Sequence, residues 1–301
     1  MELKHIMLTA FRTGAVVPSF NVPYLPMVEP LVAALRAENA FGLIAVARLE
    51  WIKFESKSME AVRDEYLRHA DERYVRLHLD HIPVIDEDEN HVDYATEISR
   101  ALELGYDSVM VDGSRLSLQD NIRATAEVVS RAHETGTPVE AELGAVVGHE
   151  AGPLPPYEEL FSSKQGFTDV DEAHRFVAET GCDWLSVAIG NIHGAVAEGL
   201  RDQEKPAARL DLDHLSRLAE ATGVPLVLHG GSGIPQEYVK GAVARGIAKV
   251  NIGTELRKAY ISGSDQGSDP EGGKDPVYRT ARALIRDRLE MAGSADVLSG
   301  E

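Results

Sequence analysis

The sequence predicts an α/β fold in which eight parallel strands close into a barrel. Short runs rich in valine, isoleucine and leucine recur along the chain, and an amphipathic stretch of helical period follows each run. This alternation predicts parallel strands joined by right-handed helical crossovers, and eight such units favour closure. A length of 301 residues also suits a single barrel of this kind. We therefore expect a (β/α)8 TIM barrel.

The individual elements follow from the same pattern. Eight apolar runs are predicted to be strands: 15–21, 42–47, 75–79, 108–111, 139–143, 184–189, 226–228 and 249–252. The clearest predicted helices between them cover 94–104, 118–134, 170–180, 212–221 and 236–244. A glycine follows each of these helices within two residues, at Gly105, Gly136, Gly181, Gly223 and Gly246. Glycine commonly supplies the left-handed residue that ends a helix, so this punctuation predicts one βα unit after another.

Two segments interrupt the repeating units. Residues 147–166 contain several glycines and prolines and are too long for an ordinary connection, so we expect a mobile active-site loop there. Residues 263–274 are rich in glycine and aspartate, and they separate the last unit from a predicted helix near 277–291. We therefore expect one domain over 1–301, with a C-terminal helical tail from residue 264 onwards.

The composition is that of an ordinary globular protein, with 44% hydrophobic and 26% charged residues. The formal charge of −19 opposes non-specific binding to nucleic acid and to anionic membranes, so neither is expected as a partner. The single cysteine, Cys182, cannot form an internal disulfide, which is typical of a reducing compartment. We see no signal peptide and no apolar run long enough to span a bilayer, and we expect a soluble cytoplasmic protein.

Polar residues occupy the carboxyl ends of the predicted strands, where barrels of this kind place their catalytic groups. The residues at these positions are Asp80, His81, Asp112, Glu142, His193, His229 and Asn251. Because the strands are parallel, we expect these side chains to meet at one mouth of the barrel. The sequence therefore predicts a functional site at that mouth.

Three of these residues are histidines, and three imidazoles from three strand ends suit a catalytic zinc ion. The candidate ligands are His81, His193 and His229. A single histidine more often packs in a core or lies on the surface, so the interpretation depends on their joint placement. The carboxylates Asp112 and Glu142 either orient the histidines, offer a second metal position, or form ordinary hydrogen bonds at the mouth.

A phosphate site is predicted from the loops after strands seven and eight, which usually bind phosphate in these barrels. The motif HGGSG at 229–233 lets backbone N–H groups approach an anion, and Ser232 adds a hydroxyl. Residues Asn251, Gly253 and Thr254 supply donors at the start of the next helix. The alternative is that the glycine-rich motif is only a tight turn between a strand and a helix.

Several blocks, in order along the chain, match one known family. They are SFNV at 19–22, HLDH at 78–81, SVMVDGS at 108–114, VEAELG at 139–144, VAIG at 187–190 with His193 and Gly194, PLVLHGGSGIP at 225–235 and GIAKVNIGTELR at 246–257. On these blocks the chain resembles the zinc-dependent class II fructose- and tagatose-bisphosphate aldolases. The resemblance implies reversible cleavage of a phosphorylated ketose to dihydroxyacetone phosphate and an aldehyde, a reaction of carbohydrate metabolism and glycolysis.

The resemblance also assigns roles to residues. It implies that the three histidines hold Zn²⁺, with room for a monovalent cation, and that Asp80 exchanges a proton with the substrate C4 hydroxyl. A glutamate on the loop after strand five, here Glu150, would move a proton at C3. The implied substrate and phosphate contacts are Asn21, Gly194, Gly230, Gly231, Ser232, Asn251, Gly253, Thr254 and, at the distal end, Arg257. A homo-oligomer, either a dimer or a tetramer, is implied as well.

The chain departs from the family pattern at three places. The lysine that usually follows the strand-six histidine is replaced by Ala197, and Ala151 replaces an acidic loop residue. After strand two, bulky and charged residues including Glu50 and Trp51 would crowd a second phosphate unless Arg48 or Lys53 compensates. These departures leave three alternatives: an aldolase for a different sugar phosphate, a non-catalytic regulatory or stabilising subunit, and a metal-free isomerase on the same barrel.

Overall fold

The computed structural model describes residues 2–146, 156–193, 208–265 and 267–299. It contains a closed barrel of eight parallel strands in sequence order. The strands are β1 (Val17–Asn21), β2 (Gly42–Ala47), β3 (Val75–Pro83), β4 (Ser108–Asp112), β5 (Val139–Leu143), β6 (Trp184–Val187), β7 (Leu226–Leu228) and β8 (Ile247–Ile252). Strand β1 pairs with both β2 and β8, so hydrogen bonding continues around the whole barrel. The predicted (β/α)8 TIM barrel is confirmed.

Helices separate the strands in the sequence. They are α1 (Leu3–Thr13), α2 (Val28–Ala37), α3 (Arg48–Lys53), α4 (Met59–His69), α5 (Tyr94–Leu104), α6 (Leu118–His133), α7 (Tyr157–Ser163), α8 (Val170–Thr180), α9 (Leu212–Thr222), α10 (Gln236–Val243), α11 (Thr254–Gly263), α12 (Lys274–Ala283) and α13 (Ser294–Ser299). The five glycines predicted to end helices all have positive φ, which confirms that prediction. Within the described part of the chain, no helix combines the length and the apolar composition that crossing a membrane requires.

Some strand boundaries differ from the prediction for identifiable reasons. Strand β3 extends to Pro83, because its pairing with β4 continues after a register shift between Leu79 and Ile82. Strand β6 ends at Val187, two residues early, because the N–H of Ile189 donates to the side chain of Asn191. The backbone therefore leaves the sheet before the apolar run ends.

The two interrupting segments are only partly as expected. Of the predicted loop 147–166, residues 147–155 lie outside the described residues, and helix α7 occupies 157–163. The tail does not form the single helix expected near 277–291. It consists of α12, a π-helical turn over Leu284–Arg288, and the short helix α13. The one-domain organisation over 1–301 stays a prediction.

Helix α1 closes the amino-terminal end of the barrel. Its buried residues Ile6, Met7 and Ala10 share an apolar cluster with barrel residues such as Val17 and Trp184. Apolar burial at this end supplies stabilisation of about 25 cal/mol for each Å² removed from water. The polar part of the barrel interior therefore lies toward the opposite end, where the carboxyl ends of the strands meet.

The packing of α2 on the barrel gives a test of the core. Leu35 is fully buried, and its Cδ2 lies 2.8 Å from the position that a Cβ on Gly42 of strand β2 would occupy. Leu35→Ala should lower the free energy of unfolding by about 2–5 kcal/mol, because it leaves a cavity against the strand. The matched control is Leu67→Ala, whose side chain is 60% exposed, and its effect should stay within about 0.5 kcal/mol. Urea denaturation followed by circular dichroism measures both, and equal effects would contradict the packing.

Candidate active site

Three imidazole rings converge at the carboxyl-terminal mouth of the barrel. His81 lies on β3, His193 follows β6, and His229 follows β7. One ring nitrogen from each residue lies within 4.8 Å of the other two, and Nε2 of His81 is 2.6 Å from Nδ1 of His229. The ring centroid of His193 lies 5.3 Å from that of His81 and 5.9 Å from that of His229. The structure thus brings the three predicted ligands around one shared point.

Local backbone geometry creates this convergence. His81 has a φ of 32° and lies inside the register shift of β3, which aims its ring toward the mouth. Gly230 follows His229 with a φ of 65°, and a Cβ at this position would lie 2.0 Å from the carbonyl oxygen of Ile192. A glycine is therefore required here, because the chain after β7 passes directly against the segment that carries His193.

Carboxylates cover the remaining nitrogens of two of these rings. Nδ1 of His81 lies 3.2 Å from Asp112 Oδ2 and 3.9 Å from Glu142 Oε2. Nε2 of His229 lies 2.8 Å from Glu140 Oε1. A carboxylate on one ring nitrogen fixes the tautomer and turns the other nitrogen toward the shared point, as in many metal sites. The placement of Asp112 and Glu142 is therefore compatible with the predicted orienting role, while Glu140 was not among the predicted residues.

The carboxylates around the cluster favour a positive charge at His81. Burial opposes the charged form of His81, but Asp80, Asp112 and Glu142 together raise its pKa to about 10. Burial and the neighbouring His81 lower the pKa of His229, so one proton serves both facing nitrogens. Burial and the negative charge of Asp112 raise the pKa of Glu142 to about 8. Three imidazole nitrogens backed by carboxylates are a donor set suited to Zn²⁺, which would replace the shared proton.

Asp80 lies beside the three rings and is almost fully buried. Its Oδ2 accepts from Nδ2 of Asn21 at 2.8 Å, and both of its oxygens lie 3.0 Å from Nδ2 of Asn251. Burial opposes ionisation, but His81, His78 and nearby Lys249 hold the pKa of Asp80 well below its usual range. The pocket wall therefore contains an ionised carboxylate whose position is fixed by two amides.

A buried polar network below the mouth was not predicted. Lys249 Nζ lies 2.7 Å from Glu140 Oε2 and 3.2 Å from His78 Nε2, and all three side chains are fully buried. Trp184 Nε1 also donates to Glu140 at 2.7 Å, and His78 Nδ1 lies 2.8 Å from Ser108 Oγ. Burial opposes the charged form of Glu140, but the positive charge of Lys249 lowers the pKa of Glu140 to about 2.

The signal for this network was the spacing within the strands. His78, Glu140 and Lys249 each precede a predicted site residue by two positions, so they share its face of the strand. The structure places His78 in the network, between Lys249 and Ser108. The same two-residue spacing, applied to β5 and β8, identifies Glu140 and Lys249.

The predicted phosphate loops line the same pocket as the three histidines. The lining includes Gly230, Ser232, Asn251, Gly253 and Thr254, and the whole pocket encloses about 660 Å³ including its open mouth. Helix α11 begins at Thr254, so its amino terminus faces the pocket.

Two of the expected amide donors are engaged within the protein. The N–H of Gly231 donates to Asn251 O at 3.0 Å, and the N–H of Gly233 donates to Glu255 Oε1 at 2.8 Å. In this conformation Gly231 therefore shapes the loop and does not line the pocket. Its close approach to β8 requires glycine, because a Cβ would lie 2.5 Å from Val250 Cγ1.

The pocket is also lined by Leu49, Glu50, Phe54 and Arg257. The guanidinium of Arg257 lies 5.3 Å from the centre of the Phe54 ring. Glu50 is buried and accepts from the N–H of Ala47 at 2.8 Å. Burial raises the pKa of Glu50 to about 8, and nearby Asp80 adds to the shift.

Part of the expectation for the residues after strand two was wrong. Trp51 does not line the pocket and packs instead against the hydrophobic core. Arg48 pairs with Glu97 at 3.0 Å and with Asp86 at 3.5 Å. Lys53 pairs with Glu87 at 2.7 Å and with Asp88 at 3.1 Å. Both cations are thus already bound to carboxylates outside the pocket.

Four positions named from the sequence lie outside the described residues. They are Glu150, Ala151, Gly194 and Ala197. The roles expected for Glu150 and Gly194 therefore stay predictions.

The fold and the cluster at its mouth define the class of barrel proteins that carry, at the carboxyl ends of their strands, residue groups able to hold a metal ion. A family model described as "Fructose-bisphosphate aldolase class-II" matches residues 1–297. The chain belongs to this family, whose members are metal-dependent aldolases and hence carbon–carbon lyases. The resemblance noted in the sequence is therefore confirmed.

Individual relatives agree with this assignment. The chain is 40% identical over 237 residues to fructose-bisphosphate aldolase of Streptococcus pneumoniae serotype 4, covering 73% of this chain and 72% of the relative. It is 35% identical over 239 residues to the Streptococcus pyogenes serotype M3 enzyme of the same name, covering 74% and 72%. The crystal structure of the YdjI aldolase from Escherichia coli K12 matches with a TM-score of 0.75 at 27% identity, covering 98% of both chains. Fructose-bisphosphate aldolase from Campylobacter jejuni, at 17% identity, TM-score 0.71 and coverage of 96% and 94%, shows the fold alone.

The buried network gives a test that does not depend on activity. Lys249→Met should lower the free energy of unfolding by about 3–5 kcal/mol, because Glu140 would keep a buried charge without its partner. Lys240→Met is the matched control, since Lys240 is about half exposed and pairs with Glu290 on the surface, where such pairs contribute at most about 1 kcal/mol. Chemical denaturation of both variants measures the difference. A Lys249→Met protein as stable as the control would contradict the network.

Proposed function

We propose that this protein is a zinc-dependent aldolase that cleaves a phosphorylated ketose of the fructose- or tagatose-1,6-bisphosphate type. The products are dihydroxyacetone phosphate and an aldehyde. The observation that carries the proposal is the convergence of His81, His193 and His229 within 4.8 Å, beside the ionised carboxylate of Asp80. The names of the streptococcal relatives support the class of substrate.

The three histidines would hold the Zn²⁺ ion. When bound there, a divalent cation acts as a Lewis acid toward the carbonyl and hydroxyl oxygens of the ketose. Asp112 and Glu142 would orient His81, and their grouping with it also offers a second cation position. A monovalent cation remains part of the proposal without assigned ligands.

Asp80 is the proposed base for bond cleavage. It would accept the proton of the C4 hydroxyl, while the electron pair of the C3–C4 bond moves to C3 and C4 becomes the aldehyde carbonyl. Asn21 and Asn251 hold the carboxylate in place for this step. Glu150 would then deliver a proton to C3, which completes dihydroxyacetone phosphate.

The substrate phosphate would bind at the amino terminus of α11. Ser232, Gly253 and Thr254 line this part of the pocket, and the side chain of Asn251, which also lines it, donates to Asp80. A helix amino terminus attracts a dianion through its unpaired N–H groups and its dipole. Asn21, Gly194 and Gly230 are proposed to complete the contacts near C1 to C3.

The wider setting is proposed on the same basis. The chain would act as one domain in a cytoplasmic homo-oligomer, as a dimer or a tetramer, in carbohydrate metabolism such as glycolysis. The formal charge of −19 supports a small-molecule substrate and opposes nucleic acid or anionic membrane partners.

The direct experiment is a cleavage assay on the purified full chain. With zinc, we expect fructose or tagatose 1,6-bisphosphate to release dihydroxyacetone phosphate, detected by a coupled dehydrogenase. A chelator should abolish the release, and added zinc should restore it. Cleavage that a chelator leaves unchanged, or no cleavage of any phosphoketose, would overturn the proposal.

Asp80→Ala is the control that separates base from ligand. Removing a proton carrier should reduce cleavage by about a hundredfold or more while the protein keeps its zinc. Elemental analysis of the variant measures the bound metal. Loss of zinc in Asp80→Ala would identify Asp80 as a ligand and not as a base.

A second candidate function is cleavage of a ketose phosphate whose far end is uncharged. Leu49, Glu50 and Phe54 follow β2, in the segment expected near a second phosphate, and the buried Glu50 is among the residues that line the pocket. Among the described residues that line the pocket, Arg257 is the one arginine or lysine. A protonated carboxyl group can donate to a hydroxyl of the aldehyde half, whereas an ionised one repels a second phosphate.

This candidate predicts a pH-dependent substrate preference. Glu50 has a raised pKa of about 8, so it is neutral below that pH and becomes negative as the pH rises. The ratio of kcat/KM for fructose 1,6-bisphosphate to that for fructose 1-phosphate should therefore fall between pH 7 and pH 9. Glu50→Gln should make the ratio independent of pH, and Glu103→Gln, whose side chain is 68% exposed on α5, should not. An identical profile in Glu50→Gln and wild type would eliminate this role.

A further inference from the structure

The C-terminal tail contacts the predicted phosphate loop through one side chain. Nη2 of Arg288 donates to the carbonyl oxygens of Gly231 and Ile234, both at 2.7 Å. Both residues lie within two positions of Ser232, which lines the pocket. The Arg288 side chain is 17% exposed and thus largely enclosed by the loop and the tail. One arginine therefore fixes both sides of the turn that presents the Ser232 hydroxyl.

A wide helical turn places this arginine. In the π-helical turn, the N–H of Leu289 donates to the carbonyl oxygen of Leu284 at 2.9 Å, five residues back. Such turns are rare in proteins, and many of those that do occur lie at functional sites. Arg288 is the last residue of the turn, while Leu284 and Ile285 remain buried in the core. The tail thus keeps its apolar contacts while Arg288 reaches the loop.

Arg288 also neutralises a carboxylate beside the predicted phosphate site. Its Nη1 lies 2.5 Å from Oε1 of Glu255, which also accepts from the N–H of Gly233. Glu255 belongs to the first turn of α11 and follows Thr254, which lines the pocket. Without a cation in contact, this carboxylate would repel a phosphate dianion at short range. The ion pair therefore leaves the helix amino terminus attractive to an anion.

We propose that Arg288 is a positioning residue for the phosphate site, acting through the 231–234 turn and through Glu255. The inference rests on the proposed function, because it requires phosphate to bind at Ser232 and the amino terminus of α11. It assigns to the tail a role in substrate affinity rather than in the chemistry at C3 and C4. Docking of the tail does not depend on Arg288 alone, since Gln236 Nε2 donates to Asp287 O and Lys240 pairs with Glu290.

The experiment measures binding of inorganic phosphate to the zinc-loaded full chain by isothermal titration calorimetry. Arg288→Met should weaken binding about tenfold or more, since it removes charged hydrogen bonds that hold the site. Arg279→Gln is the control, because Arg279 is 77% exposed on α12 and pairs with the surface residue Asp275. Zinc content and the circular dichroism spectrum of both variants should equal those of the wild type.

A second variant separates positioning from a loss of folding. In Arg288→Met/Glu255→Gln the uncompensated carboxylate is gone, so part of the phosphate affinity should return. Wild-type affinity in Arg288→Met, or no recovery in the double variant, would overturn the inference. A wild-type protein that cleaves phosphoketoses but does not bind inorganic phosphate would instead contradict the phosphate site itself. A raised KM for the phosphoketose with an unchanged kcat in Arg288→Met would support the positioning role.

Discussion

The ion pair between Lys249 and Glu140 is the contact on which the active-site end of the barrel depends. Both side chains are fully buried and lie 2.7 Å apart, so each removes the cost of an isolated charge from the other. Glu140 then holds His229, and Lys249 contributes to keeping Asp80 ionised. The direction of a proposed metal ligand and the charge of a proposed base are thus both determined one layer below the mouth.

The two ends of the barrel divide stability from chemistry. At the amino-terminal end, α1 and residues such as Trp184 form an apolar cluster whose burial stabilises the fold. At the other end the interior is polar, and Glu140, Lys249, His78 and His229 are joined there by hydrogen bonds. Trp184 belongs to both parts, because its ring packs in the apolar cluster while Nε1 donates to Glu140. This side chain joins the stabilising layer directly to the polar one.

The barrel was predictable because strands buried on both faces appear as continuous apolar runs. The limits of β6 were not, since they depend on a local side-chain contact that ends the pairing. The gathering of His81, His193 and His229 followed from the shared direction of the strands. Glu140 and Lys249 were missed because a charge within a strand suggests solvent exposure, and its partner lies 109 positions away. The contacts of Arg288 depend on tail packing that no local pattern encodes.

The register shift in β3 has a consequence for the proposed reaction. Side chains of a regular strand alternate between its two faces, so two consecutive residues do not enter one cavity. The shift and the positive φ of His81 remove this restriction, and Asp80 and His81 both line the pocket. The proposed proton acceptor and one proposed metal ligand are therefore joined by a single peptide unit. Covalent geometry, and not the relative motion of two separate segments, limits the distance between them.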